Sequence, residues 1–144
     1  FFKQKTAYDM LRSLVGSEMC IRDSIHTGHI KYLEAAKNYG DILIIGLNSD
    51  QSVSTLKGPG RPINSQFDRA FILASLEVVD YVVIFNEDTP YNLINAIMPN
   101  TLVKGSDYKP EEVIGHDIVK DLKLIDLVKG KSTSNTIEKI KNGF

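Results

Sequence analysis

Apolar positions recur at helical spacing from Gly28 to Asn38, where Ile30, Leu33 and Ala36 share a face and Lys31, Glu34 and Lys37 lie elsewhere. Gly40 supplies a stop. Ile42 to Leu47 is a short, nearly continuous apolar run of the kind that forms a strand buried on both faces. Asp50 to Leu56 reads as a short helix with Asp50 as a candidate cap, and KGPGRPIN (Lys57 to Asn64) as a loop stiffened by two prolines. Phe67, Ala70, Phe71, Leu73, Ala74 and Leu76 give a strong helical stripe, and Tyr81 to Phe85 a second buried strand. Asp88 is expected to cap a helix from about Thr89 to Ile97, with Pro90 in the tolerated first turn. Thr101 to Lys104 and Leu124 to Val128 complete the strands, and a last helix is expected from about Ser134 to Lys141. Strands separated by helices of this length imply right-handed crossovers and a parallel sheet covered on both faces. Ligands of such folds bind beyond the carboxyl ends of the strands, which directs attention to the residues after Leu47, Phe85, Lys104 and Val128 and before the first helix.

Residues 1–24 do not continue this alternation. They carry the single cysteine, Cys20, and two of the three methionines, with a weak helical stripe broken by Gly16. The stretch SLVGSEMCIRDS resembles translated sequencing-adapter sequence. The expected organisation is therefore a non-native or disordered leader over 1–24 and one domain over 25–144. The first helix then has no native-looking strand ahead of it.

The whole chain has 144 residues and a net charge of -1, from seventeen Lys and Arg against eighteen Asp and Glu. That balance gives no general pull toward nucleic acid or an anionic membrane. No run approaches a membrane helix, and one cysteine cannot build a disulfide framework, so a cytoplasmic enzyme or binding domain is expected.

His26-Thr27-Gly28-His29 opens the first helix, and two imidazoles three residues apart share one side of a helical turn. Gly28 permits close approach of a ligand to the backbone, and the helix N-terminus favours an anion. Spacing alone leaves three readings open: phosphate binding, a metal-binding pair without an evident third ligand, or two surface histidines. Lys57, Arg61 and Arg69 are cations in or after the stiff loop, suited to a polyphosphate or to plain solvent. For Arg69, a salt bridge with Asp68 or Glu77 competes. Lys104, Gly105 and Asp107 follow the third apolar strand, at an edge suited to a nucleotide, although an ordinary turn has the same composition. Ser132 and Thr133 precede the last helix as a phosphate cradle or simple caps. His116 is isolated and expected at the surface, and no Gx4GK[ST] loop or GxGxxG fingerprint is present.

HTGH at such a turn resembles the HxGH signature of the cytidylyltransferase-like nucleotidyltransferase superfamily, and the similarity extends from Ile25 onward. LNSD, LKGPGRPIN, DRA, EDTP, VKGSDYKPEE and KSTSNTI together resemble the adenylyltransferase domains of bifunctional heptose-phosphate kinase/adenylyltransferases. The resemblance implies a Rossmann-like, doubly wound α/β fold and transfer of AMP from ATP to D-glycero-β-D-manno-heptose 1-phosphate, giving ADP-heptose for the lipopolysaccharide core and pyrophosphate. It places His26 and His29 at the transferring phosphate, and Gly28, Lys57, Arg61, Arg69, Lys104, Ser132 and Thr133 around the nucleotide phosphates. Gly105 and Asp107 would hold the nucleoside. Mg²⁺ would ride on the ATP phosphates, with no protein metal cage. A homo-oligomer and an upstream sugar kinase, fused or separate, are compatible with the family. The alternatives are a cytidylyltransferase for glycerol or ethanolamine phosphate, which would carry RTEGISTT-like residues before the last helix, and a catalytically inactive nucleotide-binding domain. Two departures stand out: Ser106 replaces a second glycine, and the family's Gly-Cys-Phe-Asp type stretch is missing, so the first strand is expected to be missing or replaced and the chain poorly stable or inactive.

Overall fold

A computed structural model of the chain describes residues 25–126 and 138–142 in full, together with the backbone of Ser13–Ser17. The strands are β1 (Ser13–Ser17), β2 (Ile42–Asn48), β3 (Tyr81–Phe85), β4 (Thr101–Gly105) and β5 (Asp121–Ile125). The α-helices are α1 (Thr27–Lys37), α2 (Asp50–Lys57), α3 (Gln66–Ala74) and α4 (Tyr91–Ile97), with a short 3-10 turn at Pro110–Glu112. Residues 138–141 are also helical.

The five strands make one parallel sheet in the order β3-β2-β1-β4-β5. From β1 the chain steps outward through β2 to β3, then returns to the other side of β1 as β4. The strand order therefore reverses between β1 and β4, which puts the crevice of a doubly wound sheet there. All seven positions of β2 are buried, because its ILII run has helices on both sides. On one face, Leu43, Ile45 and Leu47 pack with Tyr32, Leu33 and Ala36 of α1 and Ala70 and Leu73 of α3. On the other, Ile42, Ile44 and Leu102 pack with Ile94 of α4 and Val113. At the amino edge, Asp80 Oδ2 accepts from the Leu43 N–H at 2.8 Å and from the Lys37 ammonium, which also donates to the Asp41 carbonyl at 2.7 Å. That cluster ties the end of α1 to the starts of β2 and β3.

Of the two branches expected for the first strand, missing or replaced, the structure has a strand from the leader in the central place: Ser13–Ser17 pairs with β2 from Ser13↔Ile42 to Ser17↔Gly46 and with β4 from Leu14↔Thr101 to Gly16↔Val103. The rest of 1–24 lies outside the described residues. Two expectations on element bounds are corrected. The last strand occupies Asp121–Ile125 rather than Leu124 to Val128, because an edge strand needs only alternate positions turned inward, as Leu122 and Leu124 are. The helix expected from Thr89 starts at Tyr91, with Pro90 at its N-cap and no side-chain cap from Asp88. The beginning of the last expected helix lies outside the described residues.

Candidate active site

The first crossover helix opens on a reciprocal cap. His26 sits at the N-cap in extended conformation, and its Nδ1 accepts from the Gly28 N–H at 3.2 Å. His29 Nδ1 accepts from the His26 N–H at 3.3 Å. The two rings stack with centroids 3.8 Å apart and planes 20° from parallel. A ring nitrogen that accepts carries no proton, so the neutral form of each imidazole holds its proton on Nε2. Both histidines thus offer Nε2–H donors from a turn that is already electropositive. Burial first, and the neighbouring charge of His26 second, push the His29 pKa down to about 4. At neutral pH His29 is an uncharged hydrogen-bond donor. Gly28 is buried in the first turn of α1.

The second group surrounds Arg69, whose side chain is 1% exposed. Its Nη2 donates to Asp50 Oδ1 at 2.7 Å and its Nε to the Asn64 carbonyl at 3.1 Å. Its Nη1 is buried without a hydrogen-bond partner among the described residues. The partner is Asp50, neither Asp68 nor Glu77 as expected from sequence proximity; Asp68 is engaged by the Ser65 hydroxyl at 2.6 Å. Asp50 does not cap α2, since Ser49 does so by accepting from the Ser52 N–H. The arrangement draws the start of α2, the end of the 58–65 loop and α3 together at the carboxyl edge. Lys57 is the exposed last residue of α2, and Arg61 is half-buried in that loop. Gly58 and Gly60 have φ of 90° and 82°, which only glycine adopts without strain and which lets the loop turn back. Buried Asn48 donates to the Ser52 hydroxyl at 2.9 Å, which donates to the Glu87 carbonyl at 3.2 Å, so the ends of β2 and β3 are fixed relative to α2. Sequence reading did not single out Ser52, Gln66 or Asn64; all act through contacts that no local motif encodes.

The third group follows β4. Gly105 ends the strand, the Ser106 N–H donates to the Ile125 carbonyl at 2.9 Å, and Tyr108 N–H closes on the Gly105 carbonyl at 3.3 Å. Asp107 is exposed at the tip of this turn. Lys104 is only 8% exposed, with its ammonium 4.7 Å from the Tyr108 ring centroid, a cation–π contact that aims it along the edge. Ser132 and Thr133 lie outside the described residues. His116 is exposed, its Nδ1 2.8 Å from the Val113 carbonyl. Among the described residues no group of three or more His, Cys, Asp or Glu side chains is placed to hold a metal ion. Nor is any of their helices long and apolar enough to cross a membrane.

The doubly wound parallel sheet is a Rossmann-like fold, with paired imidazoles at its first crossover helix and arginine and lysine along the same edge. The chain belongs to the cytidylyltransferase-like family, which matches residues 23–136. It is 61% identical over 120 residues to the bifunctional protein HldE of Nitratiruptor sp., an alignment covering 83% of this chain and 26% of that protein. It is 57% identical over 134 residues to the bifunctional protein HldE of Aliarcobacter butzleri, covering 93% and 28%. The chain thus spans about a quarter of the length of these curated relatives. The crystal structure of the lipopolysaccharide core biosynthesis protein from Thermoplasma volcanium GSS1 shares the fold, with a TM-score of 0.63 and 24% identity, covering 81% of this chain and 98% of that one.

Proposed function

We propose that this chain is an adenylyltransferase that joins AMP from ATP to D-glycero-β-D-manno-heptose 1-phosphate, giving ADP-heptose and pyrophosphate. The observation that carries it is the stacked His26–His29 pair, two Nε2–H donors at a helix N-terminus. An oxygen of the sugar phosphate forms the new bond to the α-phosphorus, and the bond from that phosphorus to the bridging oxygen breaks, leaving pyrophosphate. A phosphate monoester is largely dianionic at neutral pH, with a second pKa of about 6, so the nucleophile needs no general base. Charge instead accumulates on the α-phosphate oxygens and the leaving group, and preorganised neutral donors stabilise it without titrating. His29, uncharged at neutral pH, suits that role and not proton transfer.

Arg69, Lys104 and the flanking Lys57 and Arg61 offset the remaining phosphate charge, joined by Ser132 and Thr133, while Gly105 and Asp107 face the ribose. The donor set is rich in N–H and poor in clustered carboxylates, which fits a Mg²⁺ carried by phosphate oxygens and water rather than by protein ligands. A Mg²⁺ bound in that way would screen the polyphosphate charge. Identity of 55–61% to eight HldE proteins supports this substrate pair over glycerol or ethanolamine phosphate. An upstream sugar kinase, as the relatives' bifunctional name suggests, would supply the sugar 1-phosphate. The test is pyrophosphate release with ATP, CTP or GTP and the heptose 1-phosphate. Release with ATP is the expected result. ATP binding without release would make this a nucleotide-binding domain only, and preference for CTP would reassign the nucleotide.

A further inference from the structure

Arg69 is among the largest fully buried side chains, and such a group ordinarily has its donors matched. Here Nε and Nη2 are matched by Asn64 and Asp50, while Nη1 is buried and has no partner among the described residues. The two tethers differ in kind. Asn64 contributes a carbonyl from a loop that contains two glycines at positive φ. Asp50 stands on the first turn of α2, directly after the carboxyl end of β2, and its own N–H donates to Gln66 Oε1 at 2.9 Å. It is also 41% exposed, so it is a carboxylate facing the solvent side of a site that must receive anions. An acidic group in that position works against phosphate binding unless it does something that outweighs the repulsion.

We propose that Asp50 is a positioning residue, which holds the Arg69 guanidinium against the end of β2 so that Nη1 is presented to a phosphate oxygen of the nucleotide. This rests on the reading above that Arg69 faces the nucleotide phosphates. Arg69 is closed to solvent, so this role requires its cover to shift when nucleotide binds, and the tether to α2 would hold the guanidinium in place meanwhile. The fork of the guanidinium makes this division of labour geometric: one edge is given to the carboxylate, the other is kept for the ligand.

ATP affinity of the full chain, measured by titration calorimetry beside a melting curve for each variant, tests this. Arg69→Ala is expected to weaken ATP binding by at least about tenfold, and Asp50→Ala by about tenfold. Asp50→Asn retains an oxygen acceptor at the same place and is expected to bind ATP within about twofold of the parent. Asp50→Ala combined with Arg69→Ala is expected to bind no worse than Arg69→Ala alone, because the first residue acts through the second. If Asp50→Ala does not fold, Asp50→Glu displaces the acceptor by one methylene and is expected to weaken binding in its place. If Arg69→Ala weakens binding while Asp50→Ala leaves it unchanged or tightens it, the positioning role is overturned and the phosphate reading of Arg69 survives. An Asp50→Ala variant that melts earlier but binds ATP normally overturns it equally. Unchanged binding in Arg69→Ala removes the phosphate reading itself, and the role of Asp50 with it.

Discussion

The two edges of the sheet treat polar groups in opposite ways. At the amino edge, Asp80 is 8% exposed and its Oδ2 is shared by the Lys37 ammonium and the Leu43 N–H, a closed cluster that staples α1, β2 and β3. At the carboxyl edge, His29 is 3% exposed with its Nδ1 committed to the cap, and Arg69 is 1% exposed with Nη1 unmatched among the described residues. Burial is similar, so burial alone does not distinguish structure from function. What differs is where the donors point. The amino edge matches a carboxylate to its own donors and is expected to govern stability. The carboxyl edge gathers imidazoles and cations, leaves Arg69 Nη1 without a partner among the described residues, and is expected to govern binding and turnover.

Lowering the pH sets the limit of that division, because charging buried His29 costs stability at the carboxyl edge too. A histidine in the unfolded chain titrates near 6.5, whereas folded His29 titrates at about 4, so between those values the unfolded chain binds more protons. The stability this residue contributes is full above 6.5 and is lost as pH falls toward about 4. Urea midpoints at pH 7 and pH 4.5 should show the loss, and His29→Gln should reduce it. An equal acid sensitivity in that variant would place the titration elsewhere.

Asp80→Ala should cost about 2 kcal/mol of unfolding free energy, since it orphans the buried Leu43 N–H and leaves the Lys37 ammonium only the Asp41 carbonyl. Relative turnover of the molecules that remain folded should not change. A drop in turnover without a drop in melting temperature would erase the contrast between the edges. The smallest effect is expected at Ser49, the N-cap of α2. Ser49→Ala should destabilise by about 1 kcal/mol through loss of the cap to Ser52, as read by a denaturant midpoint.

Much of the fold is legible in the sequence where burial is two-sided or periodicity is strong. The ILII run of β2 and the YVVIF run of β3 need no tertiary information, whereas the α3 stripe is only partly right: Ala70 and Leu73 land on the core with Ala74 and Leu76 against them, but Phe67 and Phe71, expected on the same face, are 62% and 66% exposed. Strand β5 is misplaced by three residues at its start because LKLI alternates at an edge, while the neighbouring IDLV looks more apolar. The central strand is hidden for a different reason. SLVGS offers only Leu14 and Val15 as apolar residues, so it forms a strand only because β2 and β4 leave a gap between them. At the site, HTGH is a local signal and the stacking of its rings follows from the helical turn. The partner of Arg69 is not local: Asp50 lies nineteen residues away and meets it only when α2 and α3 are brought to the same edge.

The most direct measurement is the rate of pyrophosphate release from ATP and heptose 1-phosphate by His29→Ala, compared with the parent chain at pH 7.5 and with both folds checked by circular dichroism. Removing a preorganised donor at the transferring phosphate is expected to lower turnover by about 10²-fold or more with the fold retained. Turnover equal to that of the parent would take the imidazole pair out of the reaction and contradict the functional account of the carboxyl edge.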